Sequence, residues 1–391
     1  MSDDPDLNQR TRLIHSGRRR EWRGKLVNVP VERTSTILFD DLQDLRSSYP
    51  PRDGRYNYGR NGTASQWALA EALTALEPGA AGTLLFPSGA AACAMALTSC
   101  LQPGDELLMV DSVYGPTRHF CDGELKRLGI TTLHYAPGIS PDELTALITP
   151  RTRALFLESP GSLTFELQDV PGLAAAAHER GLVTLLDNSW ATSLFFPAIP
   201  NGIDLAITAC TKYIGGHSDV MLGAVTAAPD HLPALDKVVR QWGVAVSPDD
   251  AWLALRGLRT LDVRLRRHES NGLEVARWLA EQPRVTRVLH PALPSCPGHE
   301  HFRHYRGASG LFSIVLDATR GERDALVEAL TLFGLGYSWG GYESLACPVE
   351  LRGLRSVGEA LTGPAIRLHI GLEDPADLIA DLDQALNAAV P

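Results

Sequence analysis

Short apolar runs alternate with helical stretches through the middle of the chain. The runs are Thr83–Phe86, Glu106–Val110, Thr131–Tyr135, Ala154–Leu157, Leu182–Leu186, Ile203–Ile207 and Met221–Thr226. Runs of four to six apolar residues separated by helix-length segments predict βαβ units and a mostly parallel sheet flanked by helices. Before them, residues 1–60 carry many charges and turn formers and few strand patterns, and read as an extended arm. The α/β rhythm occupies 61–257. From 258 onward it changes: amphipathic helices near 264–281, 321–332 and 375–388 surround strand-like Val285–Leu289, Leu311–Leu316 and Ala365–Ile370. The fold class is therefore α/β, with a large parallel-sheet domain at 61–257 and a smaller C-terminal α+β domain at 258–391. The Pro/Gly-rich stretch Pro291–Gly298 reads as a surface loop, and there is no internal repeat.

Composition narrows the class. A chain of 391 residues exceeds one ordinary core, which agrees with two domains. With 44% hydrophobic and 21% charged residues it has the make-up of a globular protein, and no apolar run reaches membrane-spanning length. The net charge of −10 argues against nucleic acid or an anionic membrane as partner; the cluster Arg18–Arg20 reads as part of a solvated arm. The polar start MSDDPDLNQR is unlike a signal peptide. The six cysteines show no C-x-x-C spacing and read as reduced thiols of a cytoplasmic protein, with no metal site.

The candidate chemistry starts at Lys212, which the apolar segment Ile203–Ile207 delivers to a turn of glycines and small hydroxyls. By itself a lysine at a strand end is usually a salt-bridge partner. A lysine that condenses with an aldehyde must instead be partly desolvated, so that its amine is neutral near pH 7. Asp187 ends the buried run Leu182–Leu186, where open α/β sheets bind ligands. Asp111 ends Glu106–Val110 in the same way, so position alone does not choose between them, and either acid could be a helix cap. Ser88-Gly89-Ala90, between a strand and a helix, offers a phosphate cradle of backbone N–H groups, or an ordinary serine-capped turn. Thr211 could add a hydroxyl to the same phosphate.

These residues together resemble the pyridoxal-phosphate enzymes of cysteine and methionine metabolism, the transsulfuration group. The run Asp204–Ser218 matches that group's lysine signature throughout. The likeness continues in Arg12–His15, Tyr56–Arg60, Ser88–Ala90, Leu157–Pro160, Ser338–Ser344 and Ile366–Gly371, and so covers nearly the whole chain. The resemblance implies fold type I of the pyridoxal-phosphate enzymes, with pyridoxal 5'-phosphate held as a Schiff base on Lys212 and its ring nitrogen facing Asp187. It implies that Tyr114 stacks on the ring and helps relay a proton, and that Gly89, Ala90, Thr211 and position 209 hold the phosphate. Many relatives carry serine at that last position; this chain has Ala209, so one hydroxyl contact is lost or the backbone serves instead. Tyr58, also a candidate catalytic group, and Arg60 would reach the phosphate of a neighbouring subunit. Arg367, flanked by Ile366 and Leu368, would grip a substrate carboxylate, supported by Ser338.

Tyr337 and Trp339 stand where the γ-acting members commonly have a glutamate and a smaller aliphatic, and Pro116 stands where methionine γ-lyases have a reactive cysteine. Both features resemble the β-lyase branch. The implied reaction is C–S β-elimination on L-cystathionine or another cysteine S-conjugate, by a homotetramer of dimers that share active sites. Alternatives on the same scaffold are a cysteine desulfhydrase and an O-acylhomoserine sulfhydrylase; a cofactor-binding sensor is the non-enzymatic one. A nicotinamide dehydrogenase lacks its G-x-G-x-x-G after the first strand.

Overall fold

The computed structural model describes residues 7–48, 54–350, 355–357 and 362–389, so the first six residues of the polar start and residues 49–53 of the arm lie outside it. Seven strands form the large sheet: β1 (Gly82–Phe86), β2 (Glu106–Val110), β3 (Thr131–Tyr135), β4 (Thr152–Glu158), β5 (Val183–Asp187), β6 (Leu205–Thr208) and β7 (Gly223–Ala227). Their order is β1-β7-β6-β5-β4-β2-β3. The strands β6, β5, β4, β2 and β3 pair in parallel, while β7 is antiparallel to both β1 and β6, so only β7 opposes the common direction. All residues of β2, β6 and β7 are buried, as expected for strands covered on both faces. Each predicted strand exists, with ends displaced by no more than two residues.

A five-stranded second sheet has the order β10-β11-β12-β9-β8. It comprises β8 (Val285–Leu289), β9 (Leu311–Leu316), β10 (Gly334–Leu335), β11 (Leu345–Glu350) and β12 (Pro364–His369). Strand β11 has no counterpart among the predicted runs, because Pro348 argues against a strand. Strand β10 covers β11 only at Leu345 and Ala346, so at Pro348 one edge of the strand is open, a position where proline is tolerated. The helices Leu261–Ala280, Arg320–Ala329 and Pro375–Ala389 match those predicted and share the core of this sheet through Val275, Leu279, Leu326, Leu378 and Leu382.

The two cores are tied by one helix. In Leu261–Ala280, Leu261 and Leu265 belong to the first hydrophobic cluster and Val275, Ala276 and Leu279 to the second. Trp190 Nε1 donates to the Leu311 carbonyl (2.9 Å), and the Tyr305 hydroxyl to the Ser159 carbonyl (2.8 Å). Both bonds fasten the second sheet against the carboxyl ends of β4 and β5. The arm, expected to be extended, holds short helices at Gln9–His15, Arg20–Arg23 and Leu42–Ser47; Leu26, Val27, Leu38 and Leu42 stay exposed on it. No helix among the described residues is long and apolar enough to cross a membrane. All six cysteines are free.

Candidate active site

A cavity of about 430 Å³ opens where the carboxyl ends of the parallel strands meet the second sheet. This is where crossover connections leave a crevice in an open α/β sheet. Lys212, Asp187, Tyr114, Gly89, Ala90, Ala209, Thr211, Trp339 and Arg367 all line it. Residues more than 250 positions apart thus meet in one space.

The helix Gly89–Cys100 points its amino end into this cavity. Ser88 caps it by accepting from Ala91 N (3.1 Å), which leaves the N–H groups of Gly89 and Ala90 at the helix start for an anion. A Cβ at position 89 would lie 2.7 Å from the Ala209 Cβ, so glycine keeps this floor open. The other phosphate candidates are already engaged. Thr211 Oγ1 donates to the Leu222 carbonyl (3.1 Å), and Ala209 N donates to Ser189 Oγ (2.8 Å). The N–H of Ala209 is thus committed to Ser189, while the residue still lines the cavity.

Lys212 follows β6 and is mostly withdrawn from water. Burial, followed by the nearby Arg367 charge, lowers its amine to about 8, against the opposing pull of Asp187. Its Nζ donates to Ser338 Oγ (2.6 Å) and lies 5.1 Å from the centroid of the Trp339 ring. The segment 338–340 comes this close because Gly340 adopts φ +89°, and a Cβ there would meet the Lys212 and Tyr213 backbone at 2.8–3.0 Å.

Asp187 is half-buried at the end of β5, where it lines the cavity. Burial raises its pKa, and the bonds from Ser189 and Cys93 and the charge of Lys212 work against that rise. Ser189 N donates to Oδ1 (3.0 Å) and the Cys93 thiol to Oδ2 (3.8 Å). Asp111 resolves the other way. Its carboxylate accepts from Arg118 (2.7 Å), Ser356 N (2.7 Å), Ser356 Oγ (2.8 Å) and Val357 N (2.9 Å). These bonds outweigh burial and lower its pKa, so it fastens a loop and leaves the ligand side to Asp187.

Glu158 also lines the cavity, and the strand register places it beside Asp187. Burial, then the Asp187 charge, hold its carboxyl well above the usual range. It accepts from Tyr114 N (2.7 Å) and so fixes the tyrosine at the cavity mouth. Sequence reasoning gave Glu158 no role, although the rule that singled out Asp187, an acid closing a buried strand, would have found it.

Arg367, on β12, is withdrawn from water, which lowers its pKa. One Nη donates to the Ser338 carbonyl (3.1 Å); among the described residues no carboxylate pairs with it. A half-buried guanidinium that lines a cavity without an anion is suited to receive one. Tyr337 is 88% exposed and does not line the cavity, whereas Trp339 does. Tyr58 and Arg60 lie outside as well, with Arg60 against the Arg240 carbonyl (3.3 Å).

Together these groups fit pyridoxal phosphate: an anion cradle at a helix start, a desolvated amine, and a half-buried acid for the ring nitrogen. Comparison with known proteins agrees. Residues 10–387 match the model of the Cys/Met metabolism PLP-dependent enzymes. The chain is 42% identical to the cystathionine beta-lyase MetC of Escherichia coli, over 95% of this chain and 96% of that one. It is 41% identical to the cystathionine beta-lyase of Haemophilus influenzae, with the same coverage. The crystal structure of metB from Corynebacterium glutamicum superposes with a TM-score of 0.90 at 29% identity, covering 98% of both chains.

Proposed function

Since the chain belongs to the Cys/Met metabolism PLP-dependent enzyme family, we propose that it is a carbon–sulfur β-lyase that cleaves L-cystathionine to L-homocysteine, pyruvate and ammonia. The observation that carries this reading is the cavity in which a neutralisable Lys212, a half-buried Asp187 and an unpaired Arg367 converge. Pyridoxal 5'-phosphate is the cofactor, and when bound it supplies the electron sink that makes the substrate α-proton acidic.

The protein's own groups do the rest. Lys212 would hold the cofactor, Asp187 would serve its ring nitrogen, and Gly89 and Ala90 would receive its phosphate, with Thr211 and Ala209 closing the floor of the cradle. Arg367 takes the substrate carboxylate and Ser338 braces Arg367. The freed Lys212 amine removes the α-proton and returns a proton to the departing sulfur, acting as base and then acid. Tyr114, fixed by Glu158, covers the ring and assists proton movement. Trp339 limits the pocket on the side chain of the substrate.

The same proposal gives Tyr58 and Arg60 to a neighbouring subunit's phosphate, in a homotetramer of dimers. It retains the arm at 1–60, the cofactor domain at 61–257 and the C-terminal domain at 258–391. It places the enzyme in the cytoplasm, with neither nucleic acid nor membrane as partner. Incubation with L-cystathionine should yield pyruvate; 2-oxobutyrate would mean γ-cleavage and sink the β-lyase reading.

A pH dependence follows from Lys212. Its amine must be neutral to condense with the cofactor, and its lowered pKa of about 8 means that neutral amine is lost as pH falls below that value. The rate at which apoprotein captures pyridoxal phosphate is expected to rise about tenfold per unit up to pH 8 and then level off. Stopped-flow absorbance of reconstitution reads this directly; a midpoint near that of free lysine would contradict it.

A further inference from the structure

Away from the cavity, two histidines and an aspartate converge with no role in the chemistry above. His301 and His304 sit in the 3₁₀ helix His299–His304. In such a helix residues three apart eclipse one another, so both imidazoles leave on one face. That face meets Asp169, which caps the helix Val170–Glu179 by accepting from Gly172 N (3.3 Å). His301 Nδ1 lies 4.0 Å and His304 Nε2 3.9 Å from Asp169 Oδ1, and the three atoms fall within 4.8 Å of one another.

Neither nitrogen has a hydrogen-bond partner among the described residues, and both atoms are closed off from solvent. Buried ring nitrogens are ordinarily paired, so the two orphans need an occupant. The scaffold around them is fixed. Phe302 stacks on His299 (14° between planes) and on Tyr305 (5°). His299 is itself committed to the Pro291 carbonyl (2.9 Å) and is not a third imidazole for the site. Leu167 N donates to the Pro297 carbonyl (3.0 Å), holding the Asp169 side against the histidine side.

We propose that Asp169, His301 and His304 form a binding site for one divalent transition-metal ion of the zinc class. Two neutral imidazoles and a carboxylate are a borderline donor set suited to such an ion, and water would complete the coordination. The carboxylate lies 3.9–4.0 Å from each imidazole and the donors are all within 4.8 Å of one another, gaps that side-chain rotation can narrow to those of a tetrahedral site. Glu300, whose carboxylate lies 3.8 Å from His301 Nε2, stands where an outer carboxylate orients a metal-bound histidine. The ion would pin the 296–304 segment to the chain that leads out of the cavity wall at Phe165, and so stabilise the enzyme without entering its chemistry.

The test is calorimetric titration of Zn²⁺ into the tag-free, cofactor-loaded full chain, beside a double variant His301→Gln, His304→Gln and a single variant Asp169→Asn. Asparagine caps a helix as well as aspartate does, so the single variant keeps the fold while removing the anionic ligand. Wild type is expected to bind one ion per chain, and each variant at least about tenfold more weakly. Zn²⁺ should also raise the melting temperature of wild type but not of the variants. No binding by wild type, equal affinity in the Asp169→Asn protein, or an equal rise in melting temperature in all three proteins overturns the proposal.

Discussion

Replacing Lys212 with alanine is expected to lower the rate of keto-acid formation by about 10⁴-fold, the upper end of what a positioned proton-transfer group contributes. The size of the effect follows from the number of tasks that fall on one nitrogen. Lys212 is the cavity-lining amine that burial and Arg367 bring to about 8, and it sits within hydrogen-bond reach of Ser338. Once it is gone, Asp187 also loses the one charge that helps keep it ionised. The measurement is single-turnover pyruvate formation, read beside the visible absorbance of the bound cofactor. A variant with more than a tenth of wild-type turnover would show that another group moves the proton.

Arg367→Leu is expected to cost about 10²–10⁴ in kcat/KM. A charge-assisted hydrogen bond contributes about 1.5–3 kcal/mol, a two-pronged grip on a carboxylate makes two of them, and 1.4 kcal/mol is a factor of ten. Most of the loss should be in KM, because the carboxylate is held in the ground state and the transition state alike. Arg367→Lys should recover little, since an ammonium cannot reproduce the planar fork. The substitution has a second signature that a packing defect would not produce. The Arg367 charge helps lower the Lys212 amine, so its removal moves the midpoint of cofactor capture upward from about 8. Full recovery by lysine, or an unmoved midpoint in the leucine variant, would count against the assignment.

Much of the site is legible because its residues lie on short local patterns. A buried run that ends in Asp187, a strand–turn–helix with Gly89, and a lysine following an apolar strand each need only neighbours in sequence to be read. Glu158 shows the limit. It closes β4 as Asp187 closes β5, yet nothing local says that the two are adjacent or that burial and the Asp187 charge raise its pKa. Asp111 is the reverse: its strand-end position matches that of Asp187, and only its bonds to Ser356 and Val357, some 245 residues on, take it out of the chemistry. Tyr337 and Trp339, two residues apart, part company for the same reason, one exposed and one lining the cavity.

The amino-acid order alone thus determined the alternation of strands and helices, the change of rhythm near 258, and which lysine and which glycine-bearing turn were candidates for the cavity they line. Periodicity and turn formation are set by neighbouring residues, and a sequence displays its neighbours. The tertiary structure decided which strand-end acids share the cavity, which hydroxyls and N–H groups are already spent, and which arginine faces the cavity without a carboxylate among the described residues. Charge state and hydrogen-bond vacancy depend on what packs across the cavity from distant parts of the chain, and that proximity exists only once the second sheet has closed over the first.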